Sequence, residues 1–97
     1  MNAVRPSRAA VAQWNVAYAE QTAALFAATQ AAADDVAAIR RLARAYLDIA
    51  YAWRELAADM AVPLWARHAA SVAAEEFERR AALECRRACR ASTYDGE

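Results

Sequence analysis

The chain has 97 residues, the size of one domain, with 31 alanines, one glycine and two prolines. All twelve basic residues are arginine and twelve carboxylates balance them, so no bulk attraction to nucleic acid or to an anionic membrane is implied. No apolar run reaches the length of a membrane span, and two cysteines are too few for a disulfide scaffold.

Alanine is the strongest helix former and glycine and proline the strongest breakers, so the composition favours long helices. Ser7, following Pro6, is placed to cap a first helix. No breaker follows until Pro63. A heptad register from Val11 puts Val11, Tyr18, Leu25, Ala32, Ile39, Tyr46, Trp53 and Met60 at its first core position. Its second core position holds Trp14, Gln21, Ala28, Asp35, Leu42, Ile49 and Leu56. A sustained 3.5-residue period means helices packed side by side with a shallow crossing.

The register weakens at Gln21, Ala28 and Asp35. Thr29, Asp34 and Asp35 lie in the same region, and each is able to start a new helix as a cap. A break near 32–34 predicts helices over about 8–32, 35–61 and 64–91, each near 40 Å long. Three segments of equal length and short connections give an all-α fold, an antiparallel three-helix bundle spanning 1–97 as a single domain. The alternative is one unbroken helix from 8 to 61, about 80 Å long. Such a long helical hairpin would need oligomerisation to cover it.

Pro63 suits the first turn of the third helix, where its missing N–H costs nothing. In that helix Trp65, Ala69, Ala73, Phe77, Ala81, Cys85 and Cys89 recur every four residues, an expected close-packing row of bulky and small side chains. Glu75, Glu76 and Glu78 precede Arg79, Arg80, Arg86, Arg87 and Arg90, so i, i+4 ion pairs are expected for Glu75 with Arg79 and Glu76 with Arg80. Residues 92–97 read as a frayed tail.

No constellation for catalysis stands out. His68 is the sole histidine and has neither a His-x-x-x-His nor a Glu-x-x-His companion, so it reads as a solvent-facing or capping residue. Ser7, Ser71, Ser92 and Thr93 lack a nucleophile-elbow context, and there is no glycine-rich phosphate loop. Cys85 and Cys89 stand at i, i+4, a spacing poor for an intrahelical disulfide. They read first as small buried apolar residues. As a thiol pair they would supply half of a metal site or a redox centre, with Arg86 and Arg90 nearby to lower the thiol pKa values. Acidic residues interleave with the arginine groups Arg40, Arg41, Arg44 and Arg79 to Arg90, which disfavours nucleic acid. The expectation is a chain without catalytic residues, cofactor or metal. The N-terminal stretch lacks the apolar segment of a signal peptide, so a cytoplasmic location is expected.

The most informative segment is Ala45–Trp53, where Asp48 is the one charge. Tyr46, Ile49 and Trp53 fill the seam while Leu47 and Tyr51 fall outside it. A helix that is apolar nearly all round is either central or covered by a partner. Phe26, Tyr46, Leu47, Tyr51 and Trp53 are therefore the expected partner interface, for a second copy or another protein.

The stretch Gln13–Val36, with Asn15-Val-Ala-Tyr-Ala and Gln21-Thr-Ala-Ala-Leu-Phe-Ala-Ala-Thr-Gln, resembles phasins, and Arg41–Ala58 has a similar texture. Phasins are small alanine-rich helical proteins that coat polyhydroxyalkanoate granules, so the resemblance implies binding to an apolar granule surface. Three functions follow from the sequence. The first is a non-enzymatic helical interaction protein, self-associating or docking on a partner through an apolar helix face. The second is a phasin-like coat, and the third a cysteine-dependent redox or metal-binding helical protein.

Overall fold

The computed structural model describes residues 7–95, which form α1 (Arg8–Gln30), α2 (Val36–Ala58) and α3 (Leu64–Asp95), with no strand among them. The fold is all-α, a three-helix bundle. The long-helix alternative fails at the cap residues. Ala31 turns extended, and Asp35, also extended, accepts the Ala38 N–H on its carboxylate at 3.0 Å. A side-chain acceptor at that point satisfies a helix-start donor that an unbroken helix would have bonded to the preceding turn.

Ser7 caps α1 as its sequence position predicts, its Oγ accepting from Ala10 N–H at 2.9 Å. The Ser7 N–H in turn donates to Asp59 Oδ2 at 2.8 Å, which ties the start of α1 to the α2–α3 turn. Pro63 stands just before α3 rather than inside its first turn, and its carbonyl accepts from Arg67 N–H at 2.9 Å. The third helix outruns its predicted end, reaching Asp95, with Thr93 Oγ1 donating to the Cys89 carbonyl. Glycine, the first breaker after Pro63, comes at position 96, outside the described residues.

The second helix lies between the other two. It packs on both, while the backbones of α1 and α3 stay apart. The heptad reading holds along α2, where Ile39, Leu42, Tyr46 and Ile49 are buried and Trp53 and Leu56 half-buried. In α1 one of its two core positions holds. Trp14, Gln21 and Ala28 turn inward together with Ala17 and Ala24, while the other expected core residues, Val11, Tyr18 and Leu25, are exposed. Small side chains let two helix axes approach, and the bulky residues are displaced to the flank.

The four-residue row in α3 holds in its middle and fails at its ends. Ala73 and Phe77 are half-buried and Ala81 is buried, but Trp65, Ala69, Cys85 and Cys89 are exposed, and Ala70, Ala74 and Ala88, outside the row, are buried. Four residues advance a helix by about 400°, so such a row drifts roughly 40° per step and winds off the interface. A seven-residue spacing drifts about 20° and stays on it, and Ala74, Ala81 and Ala88 have that spacing. Ala81 joins Ala24, Leu42, Ala45 and Tyr46 in one core cluster, and Ala17, Ile49 and Ala52 form the other. Phe77 packs against both clusters.

The helices differ in reach. Arg54 of α2 bonds Glu78 of α3, and four residues of α2 follow Arg54 while fourteen of α3 precede Glu78. The first turns of α3 therefore project beyond the end of α2, and Leu64 and Trp65 on them are exposed.

The alanine seam makes a direct prediction. Ala81→Leu adds volume where no space exists and should lower stability by about 1–3 kcal/mol. Ala82→Leu, one residue round on the exposed side, should stay within about 0.5 kcal/mol of the parent. Urea unfolding of the two variants measures the contrast, and equal midpoints would show that the seam is loosely packed.

Candidate interface on the outer face of the central helix

Both interhelical contacts of α2 draw on its inner side, which leaves a strip of its outer side uncovered. Leu47 is 47% and Tyr51 60% exposed on that strip. They stand at i, i+4 and so lie next to each other on the helix surface. Arg40 and Arg44 precede them, Asp48 lies between them and Glu55 follows.

A shallow groove runs on each side of this ridge. Towards α1 it is about 530 Å³ and is lined by Val16, Ala17, Glu20, Asp48 and Tyr51, among others. Towards α3, near the start of α2, it is about 370 Å³ and brings Arg40, Arg44 and Leu47 together with Cys85 and Cys89. A third hollow of about 540 Å³ continues along α3 past Leu47, Tyr51, Arg54 and Glu78.

Two paired arginines frame the ridge. Arg41 donates through Nε and Nη2 to the two carboxylate oxygens of Glu20 on α1, at 2.8 and 3.0 Å. Arg54 does the same to Glu78 on α3, at 3.0 and 2.7 Å. Exposed pairs contribute little stability, but a bidentate fork fixes the rotation of one helix against another. The Arg41 hydrogen bond holds the Glu20 carboxyl below its ordinary value of 4.5, and Arg54 does the same for Glu78. Asp59 is lowered from 3.8 by the backbone N–H groups of Ala61 and Ser7.

The five expected interface residues are divided by the structure. Leu47 and Tyr51 sit together on the outer strip. Tyr46 is buried, with its ring 5.8 Å from Phe77, and Arg80 lies over both rings. Trp53 is half-buried and meets Trp14 edge to face at 5.3 Å, while Trp14 stacks on Tyr18 at 4.9 Å. Tyr46 and Trp53 thus serve the inside of the bundle. Phe26 is 67% exposed on α1 and lines none of the three hollows. Val16, 72% exposed, lines the same hollow as Tyr51; it was not legible because it stands outside both core positions of the heptad.

Cys85 and Cys89 are free and exposed, which corrects the buried reading of these residues. His68 is exposed. Among the described residues no group of three or more His, Cys, Asp or Glu is placed to hold a metal ion, and no helix is long and apolar enough to cross a membrane.

No protein-family profile, curated protein or solved structure matches this chain. The site consists of an aliphatic and an aromatic side chain, with open grooves to either side and charges at both ends.

The framing carboxylates set a pH dependence. Their pKa values are lowered in the folded state, so the stability they contribute is present above the ordinary carboxylate value and lost as pH falls through the folded value. The thermal midpoint should hold steady near neutrality and fall below about pH 4.5. In Glu20→Gln/Glu78→Gln that fall should be shallower, because two of the three carboxylates with lowered pKa values are gone. A double variant with the parent's acid slope would show that these pairs do not act in solution.

Proposed function

We propose that this is a non-enzymatic helical interaction protein whose outer α2 face docks on a protein surface. The observation that carries the reading is the exposed Leu47–Tyr51 pair on the helix that is otherwise most deeply enclosed. Leaving a leucine and a tyrosine in water forgoes roughly 2–5 kcal/mol of burial. Aromatic side chains near the centre of a contact patch are also the residues that dominate binding energy at interfaces. The framing Arg41–Glu20 and Arg54–Glu78 pairs hold the strip rigid, which lowers the ordering cost of association.

A second reading has its own observation. Large apolar side chains are exposed on all three helices: Val16 and Phe26 on α1, Tyr51 on α2, and Trp65 and Leu83 on α3. That spread favours a chain that lies on an extended apolar surface, the phasin-like alternative.

The double substitution Leu47→Glu/Tyr51→Glu separates these readings. Under the first it leaves helix content by circular dichroism intact and lowers the light-scattering mass of the assembly. Under the second the mass is unaffected, and both parent and variant coat polyhydroxyalkanoate particles. A variant that unfolds instead would place Leu47 and Tyr51 in the core and end the first reading.

A further inference from the structure

The charges around the Leu47–Tyr51 ridge identify what covers it. On α2 Arg40 and Arg44 come before the ridge, while Glu55 comes after it beside Arg54, which is paired with Glu78. On α3 the order is reversed, with Glu75 and Glu78 preceding Arg86 and Arg90, and with Arg79 beside them paired with Glu76. The two helices run antiparallel, since Arg54 meets Glu78 and Arg40 shares a groove with Thr93. The basic half of one therefore lies beside the basic half of the other. A chain of zero net charge thus carries a face that is basic at one end, apolar in the middle and acidic at the other.

Part of that charge is unspent. Among the described residues Arg40, Arg86 and Arg90 at the basic end, and Glu55 and Glu75 at the acidic end, make no ion pair. Arg44 reaches Asp48 at 3.4 Å, with its side chain still 79% exposed. Neither a polyanion nor a polycation complements such a face. The same face turned end for end does.

We propose that the outer face of α2 packs on that of a second copy of this chain, antiparallel, about a two-fold axis crossing between Leu47 and Tyr51. The proposal rests on the interaction-face reading and names its partner. Setting Leu47 against Tyr51 of the second copy brings Arg44 within one residue, about 1.5 Å along the axis, of Glu55 of that copy and level with Arg54, whose charge Glu78 already offsets; symmetry makes each contact occur twice. Glu75 is then directed towards the arginine-rich end of the opposite α3. A parallel arrangement would set like charges against one another along both helices, which opposes association.

Charge reversal tests the register. Arg44→Glu and Glu55→Arg, each alone, should raise the dimer dissociation constant roughly tenfold or more, because each sets two like-charged contacts across the axis. Arg44→Glu/Glu55→Arg together should restore it. Sedimentation equilibrium reads the constants, and circular dichroism confirms that each variant is folded. On a Cys85→Ser/Cys89→Ser background, Leu47→Cys mixed with Tyr51→Cys should form a disulfide-linked pair faster than either variant alone. If Leu47→Glu/Tyr51→Glu lowers the mass but the charge swap fails to rescue, the antiparallel register is wrong and the interaction face survives. If that double variant keeps the parent's mass, both fall. A parent at single-chain mass throughout overturns the second copy as occupant and leaves the face to a different protein.

Discussion

Everything in this structure depends on how α2 is enclosed by alanine. Its Ile49 is fully buried in a cluster with Ala17 and Ala52, and its Leu42 and Tyr46 are buried in another with Ala24, Ala45 and Ala81, Phe77 packing against both. Alanine makes the helix inexpensive in conformational entropy and lets neighbouring backbones come close. It also buries little area per residue, so the hydrophobic gain from each contact is small. The bundle gains its specificity from close approach and has little bulk in its core.

The consequence is a displacement of bulk to the outside. The large apolar residues of α1 ride on its flanks, those at the start of α3 project past the end of α2, and Leu47 and Tyr51 stand on the outer strip of α2. The aromatic residues that do face inward, Trp14, Tyr46, Trp53 and Phe77, bridge the space over α2 where the backbones of α1 and α3 do not meet. Two indole N–H groups, of Trp14 and Trp53, are covered there without a hydrogen-bond partner, so this bridge stabilises the bundle less than its size implies. A fold built in this way leaves large apolar side chains exposed on all three helices.

The residues that stop and start helices were legible in the sequence. Ser7, Asp35 and Pro63 act through local chemistry, a side-chain acceptor or a missing donor, which does not depend on what packs nearby. The register of α2 was legible too, because a helix enclosed on two sides needs large residues at regular intervals. The inner faces of α1 and α3 were legible only in part, at Trp14, Gln21 and Ala28 and at Phe77 and Ala81. Searching for bulky residues at core spacing finds the wrong side of a helix when the true inner side is made of alanines, and in a chain with 31 of them no alanine stands out. The same error placed Cys85 and Cys89 inside. For the interface, Leu47 and Tyr51 were readable as residues left over from a trustworthy register, whereas Tyr46 and Trp53 were drawn in with them although they belong to the seam.

The central claim is that the folded chain is completed by covering apolar surface that its alanine core cannot use. The most direct measurement is the thermal midpoint as a function of protein concentration. Association that is linked to folding raises the midpoint as the chain is concentrated, and that rise should disappear in Leu47→Glu/Tyr51→Glu. A parent midpoint that stays constant across the accessible concentrations would mean that the bundle is stable alone and needs no second copy to complete it.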